Sequence, residues 1–195
     1  SAIKVIGITG KVASGKSTVS RYIKKIKKDV LIIDADKIAK GIYKKSPEIL
    51  NKLGQIFGKE VLDSEGNLIY AELAKKVFSD KKELDKLNKL MFPLIKSEIQ
   101  NILTKNSDRD YIIIDAAVLF DCGLDELCDY IFYIRNPSSR RKQFLKGRGF
   151  SDDDIKLRID GQHLKINKGK VNFIIDNDKT KKDLFKKIEK IMAEI

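Results

Sequence analysis

The stretch Gly10-Lys11-Val12-Ala13-Ser14-Gly15-Lys16-Ser17 reads G-x-x-x-x-G-K-S. It lies between an apolar, β-branched run, Ile3 to Ile8, and a segment with helical spacing at Val19, Tyr22, Ile23 and Ile26. A strand, a glycine-bounded loop and a helix in that order form a phosphate loop. The two glycines let successive backbone N–H groups turn toward one phosphate, and the helix that follows adds its positive end. Lys16 is then expected to reach the β- and γ-phosphates, Ser17 to offer its hydroxyl to Mg²⁺, and the whole run from Gly10 to Thr18 to cradle a nucleoside triphosphate.

Working outward, Val30 to Ile33 reads as a second buried strand that delivers Asp34-Ala35-Asp36 at its carboxyl end, the active edge of an open α/β sheet. One acid there can take a proton from an attacking hydroxyl, and either can help hold Mg²⁺. An Asp that merely caps the next helix accounts for one of the pair but not for both. Tyr111 to Ile114 is a third strand ending in Asp115, the Walker-B arrangement, so Asp115 joins Ser17 as a candidate metal residue. Ile131 to Ile134 and Val171 to Ile175 complete a sheet of about five parallel strands.

Between these strands the pattern changes. From Ser46 to Asn106 it is helical, with Ser46-Pro47-Glu48 as a helix start and a long apolar series from Leu84 to Leu103 that Pro93 is expected to kink or split. After Ile134, a basic helix with Arg140, Arg141, Lys142 and Lys146 breaks at Gly147-Arg148-Gly149, and Ser151 caps a second one carrying Arg158 and Gln162. Arginines on a glycine-jointed helical pair suit a lid over phosphates. The expected architecture is a three-layer α/β phosphate-loop kinase. Residues 1–45, 109–136 and 171–195 form the nucleotide-binding core, 46–108 a helical acceptor domain, and 137–170 the lid.

The net charge of +12 comes mainly from lysines scattered along helical faces, which points to solvated surfaces around an anionic small substrate and away from a specific nucleic-acid reader. The two cysteines, Cys122 and Cys128, lack metal-ligand spacing, and His163 is the single histidine. No run approaches the roughly 20 apolar residues of a membrane span, so a cytoplasmic protein is expected, monomeric or weakly oligomeric.

The segments Ile8 to Val19, Ile33-Asp34-Ala35-Asp36-Lys37-Ile38-Ala39, Phe57-Gly58, Asp63 to Leu68, Pro93-Leu94-Ile95, Leu119-Phe120-Asp121, Arg158 with Gln162, and Ile175-Asp176-Asn177 together resemble the dephospho-coenzyme A kinase family over nearly the whole chain. The resemblance implies transfer of the ATP γ-phosphoryl group to the ribose 3′-hydroxyl of dephospho-coenzyme A. It favours Asp36 as the base, with Asp34 in support. It also implies a lid arginine pair whose counterparts lie among Arg140, Arg141 and Arg148; Arg148 is assigned to the transferring phosphoryl group, and Arg140 and Asn177 to the nucleotide. Lys11, Phe92 and the run Ala117-Val118-Leu119-Phe120-Asp121 depart from the family pattern. A kinase for another small acceptor and a nucleotide-dependent switch are the competing readings.

Overall fold

The structure, a computed structural model, describes residues 2–195. Five strands, β1 (Lys4–Thr9), β2 (Val30–Asp34), β3 (Tyr111–Asp115), β4 (Tyr130–Arg135) and β5 (Phe173–Asp176), form one sheet in the order β2-β3-β1-β4-β5. All four pairings are parallel, so every strand delivers its carboxyl end to the same edge. The register sets Gly7 beside Ile114 and Asp34 beside Asp115.

Both faces of this sheet are covered, which is why its strands read as continuous apolar runs. Alternation decides which residue serves which side. Ile6, Ile8, Ile113 and Phe132 pack with α1 (Lys16–Ile26) and the closing helix α8 (Lys181–Glu194) through Val19, Ile23, Leu184 and Ile188. The rings of Tyr22 and Phe185 stack at 3.8 Å between those two helices. Val5, Ile112, Ile114 and Ile131 belong to the other, larger core. There they meet α2 (Ala35–Lys45), α3 (Pro47–Phe57), α4 (Tyr70–Phe78) and α5 (Lys81–Lys105), which supply Tyr43, Leu53, Leu73 and Ile99 among others. The result is the three-layer arrangement expected from the sequence.

The long helix departs from expectation. Residues 81–105 are one element, with Pro93 inside it. A proline there removes one backbone hydrogen bond. The helix nevertheless continues, because Met91, Ile95 and Ile99, spaced by one turn, are buried on both sides of the proline. Tertiary packing of this stripe outweighs the local break.

The two helices between β4 and β5 are α6 (Ser138–Gly147) and α7 (Asp152–Gly161). Ser151 caps α7 by accepting a hydrogen bond from the Asp154 amide, as its sequence suggests. Ser138 and Ser139 do not cap α6; they lie inside its first turn after Pro137. No helix among the described residues is long and apolar enough to cross a membrane.

Candidate active site

The phosphate loop leaves β1 under tight constraint. A Cβ on Gly10 would lie 2.5 Å from the Ile134 carbonyl oxygen, so a side chain there would collide with the neighbouring strand. Ala13 takes a left-handed conformation at φ 60°, uncommon for a residue with a Cβ, and the Ser14 amide donates to the Lys11 carbonyl at 3.1 Å. Helix α1 then starts after Gly15 with no side-chain cap and no acid in its first turn. Its free N–H groups are left for an anion.

Beneath the loop stands Asn177, which donates from Nδ2 to the Ser14 carbonyl at 3.0 Å. A Cβ on Gly15 would sit 2.3 Å from that nitrogen, so loop and support require the glycine together. Arg140 is spent on the same support: its guanidinium donates to the carbonyls of Asn177 at 3.2 Å and Lys179 at 2.8 Å. Neither Asn177 nor Arg140 lines the cavity above the loop; the Asn177 amide nitrogen and two guanidinium nitrogens of Arg140 bond to backbone. Lys11 likewise points away and is exposed.

That cavity, about 390 Å³, is lined by the loop from Val12 to Thr18, by Asp34, Asp36 and Asp115, and by Arg148 and Arg158 from the segment between β4 and β5. Lys16 folds back on the loop, donating from Nζ to the carbonyls of Gly10 at 3.1 Å and Lys11 at 3.3 Å. Burial lowers its pKa, Asp115, Asp36 and Asp34 oppose that change, and the Arg148 charge adds to it. The three carboxylates and the two cations therefore share one electrostatic field.

The acids are not equivalent. The strand stops at Asp34, which accepts from the amides of Asp36 and Lys37 and so caps α2; Asp36 stands in that helix's first turn. Asp36 opens to the cleft's water, yet the walls around it and then the Asp34 charge raise its pKa, while Lys16 pulls the other way. Asp115 is 6% exposed and is pushed up to about 6 by burial, with Lys16 offsetting part of the rise. It accepts from the hydroxyls of Ser20 at 3.3 Å and Ser17 at 3.4 Å.

Ser17 and Asp115 suit Mg²⁺. A hydroxyl and a carboxylate within hydrogen-bonding reach make a hard oxygen pair, and among the described residues no group of three His, Cys, Asp or Glu side chains forms an all-protein cage. Mg²⁺ commonly takes one or two protein oxygens and completes its octahedron with substrate phosphates and water.

Two cavity residues, Asn88 of α5 and Leu164 after α7, are absent from the sequence expectation, and Leu87, Gln162 and His163, named there without a place in the site, line the cavity with them. Arg141, one of the three candidate counterparts of the family's arginine pair, does not line the cavity; it is 6% exposed and donates to the carbonyls of Asn136 at 3.2 Å and Val12 at 3.4 Å. Arg158 stacks over the Phe150 ring at 4.8 Å.

Residues 4–183 match the family model described as dephospho-CoA kinase. The chain belongs to the dephospho-CoA kinase family. A dephospho-CoA kinase of Fusobacterium nucleatum is 33% identical over 196 residues, covering all of both chains. A crystal structure of TT1252 from Thermus thermophilus superimposes with a TM-score of 0.76 at 23% identity, covering 100% of this chain and 99% of that one. A dephospho-CoA kinase from Campylobacter jejuni gives 0.60 at 22% identity, covering 98% and 96%. At those identities the two structures support the fold.

The positions at which this dephospho-CoA kinase family member departs from the expected pattern have definite places. The Phe92 carbonyl accepts from the Cys122 thiol at 3.4 Å, which fixes the loop after β3 against α5. Asp121 lines the cavity and accepts from the Lys165 amide at 3.0 Å, tying the chain after α7 to that same loop.

Proposed function

We infer that the chain transfers the γ-phosphoryl group of ATP to the ribose 3′-hydroxyl of dephospho-coenzyme A, releasing coenzyme A and ADP. The observation that carries the reading is the shared cavity: the phosphate loop and Lys16 on one wall, Asp36 at the start of α2 opposite, lid arginines above and an apolar bay from α4 and α5 beside them. Family membership supplies the acceptor.

In this reading the loop amides that make no bond within the protein, those of Ala13 and of Gly15 to Thr18 at the N-terminus of α1, hold the ATP phosphates, and Lys16 leaves the loop carbonyls to neutralise the β- and γ-oxygens. Arg148 and Arg158 approach the transferring group from the lid and help exclude water. Asp36 orients the acceptor hydroxyl and takes its proton. Its raised pKa suits a group that must be ionised to accept and then hold that proton. Asp34 sets the aim of Asp36 through the helix start. Ser17 and Asp115 would hold Mg²⁺, which when bound supplies charge neutralisation between the β- and γ-phosphates. Arg140 and Asn177 act on the nucleotide through the loop they support. We assign 46–108 to the acceptor and 137–170 to the lid. The enzyme is read as cytoplasmic, monomeric or weakly associating, with two small molecules as partners and no specific nucleic acid.

The test is turnover of ATP with Mg²⁺ across dephospho-coenzyme A, adenosine monophosphate, shikimate and gluconate, with the product's mass determined. Phosphorylation of dephospho-coenzyme A alone, at the ribose 3′ position, is expected. Turnover with another acceptor in preference, or hydrolysis that no acceptor accelerates, would replace the reading.

A further inference from the structure

One short segment at the end of α7, Gly161 to Lys165, touches three parts of the molecule. Gly161 is buried against the end of α4, where an added Cβ would lie 2.4 Å from the Phe78 carbonyl oxygen and 2.6 Å from the Phe78 Cβ. Gln162, the next residue, accepts a hydrogen bond through Oε1 from the Val12 amide at 2.8 Å. Lys165 is pinned to Asp121 in the loop after β3. The stretch is thus anchored at both ends, and Gln162, His163 and Leu164 face the cavity between the anchors.

The partner of Gln162 is unusual for what it gives up. Val12 belongs to a loop whose amides are arranged for phosphate, and here one of them is taken by a side chain from the lid. The carbonyl of the same residue accepts from the buried Arg141 of α6. The lid therefore grips Val12 through its N–H and through its C=O. Gln suits this position chemically. An aliphatic residue would leave the amide without a partner, and a carboxylate would set a negative charge beside the phosphates.

We propose that Gln162 is a positioning residue that couples the acceptor bay to the phosphate loop. A molecule occupying the bay presses on 162–164, the rigid contacts of Gly161 and Lys165 prevent the segment from simply yielding, and the displacement is carried to Val12 and so to the shape of the nucleotide cradle. Coupling of this kind is reciprocal: nucleotide must affect acceptor binding by the same factor. This proposal rests on the assignment of dephospho-coenzyme A as acceptor.

The test uses the full chain, as wild type, Q162M and Q162E. Amide exchange at Val12 is followed by NMR without any ligand. It is expected to be slow in the wild type and in Q162E, which keeps an oxygen for the amide, and at least about tenfold faster in Q162M, a tenfold change corresponding to a modest hydrogen bond's worth of protection. Affinity for a non-hydrolysable ATP analogue with Mg²⁺ is then measured with and without dephospho-coenzyme A. An enhancement of about fivefold or more is expected in the wild type, and less than about twofold in Q162M at a similar melting temperature. Unchanged Val12 exchange in Q162M, or an undiminished coupling factor, overturns the proposal. Failure of dephospho-coenzyme A to bind the wild type would instead overturn the acceptor assignment; the exchange experiment, which needs no acceptor, tells the two failures apart.

Discussion

Asp34 accepts hydrogen bonds from the amides of Asp36 at 2.9 Å and Lys37 at 3.3 Å, so one acid of the pair holds the helix turn on which the other is carried. The two carboxylates therefore have separable roles. Asp36→Asn is expected to lower kcat by about 10²- to 10⁴-fold, the usual contribution of a general base, with little change in ATP KM. Asp34→Asn keeps a good cap and should leave the melting temperature near wild type, whereas Asp34→Ala should cost about 0.5–2 kcal/mol. Steady-state kinetics and thermal melts on the three variants check this. If Asp34→Asn carries the purely catalytic defect while Asp36→Asn loses ATP binding, the roles are reversed.

In the proposed reaction Lys16 contributes charge to the phosphates, and its Nζ makes two hydrogen bonds, both to loop carbonyls. Lys16→Met should lower kcat by at least about 10²- to 10³-fold, the scale seen when one transition-state donor is removed. Circular dichroism and the melting temperature should stay close to wild type. Retention of wild-type turnover would remove Lys16 from the chemistry.

Asp115 gives a pH signature in the ligand-free protein. Its pKa of about 6 lies above the ordinary carboxylate value of 3.8 because burial disfavours the charge. Between those values the folded state holds a proton that the unfolded chain has lost. Stability from this group is thus fully present below about pH 4 and declines as pH rises through about 6, by on the order of 3 kcal/mol. Asp36, also raised, acts in the same direction. Asp115→Asn removes the effect, so its melting temperature should exceed that of wild type at pH 8, with the gap closing toward pH 4. Melts in chelator without nucleotide measure this, and a gap independent of pH would contradict it.

Gly161 and Gly41 form a contrast within one kind of substitution. At Gly161 the atoms nearest an added Cβ include the Phe78 carbonyl oxygen and Cα, which belong to backbone and cannot rotate away. Gly161→Ala should destabilise by about 1–3 kcal/mol, as overpacking typically does. At Gly41, inside α2, nothing lies within 4 Å of an added Cβ. Gly41→Ala should stabilise by about 0.5–1 kcal/mol through helix propensity alone. Paired denaturant titrations decide both.

The parts of this molecule that were legible in the sequence are those whose signal is local. The loop from Gly10 to Ser17 carries its spacing in eight consecutive positions, and the strands into Asp34 and Asp115 show as short apolar runs ending in an acid. Residue type and spacing alone do not separate Asp34 from Asp36, and the resemblance was needed to favour Asp36, because their directions depend on the strand ending at Asp34 and the helix beginning at Ala35. Pro93 misleads for a related reason: the stripe that holds α5 together gains its strength from partners elsewhere in the chain. Gln162, Arg141 and Asn177 were named in the sequence, but what they touch was furthest beyond reach, since each acts on a backbone group of a loop distant in sequence. A backbone amide or carbonyl leaves no residue-type signature, and the burial of Arg141 shows only in the fold.

The pairing of Asp34 with Asp115 across β2 and β3 also bears on how the protein acquires activity as it folds. Those strands are separated in the chain by four helices, so the acids meet only after a long and entropically costly closure has succeeded. A chain with β1 and α1 already formed would own a phosphate loop but would lack the buried acid beside Ser17. Nucleotide that needs both would bind only the finished sheet and would hold it against unfolding by mass action. In refolding, the appearance of nucleotide affinity should therefore trail the appearance of helix, which makes ATP a reporter of the docking of β3 beside β1 as well as a substrate.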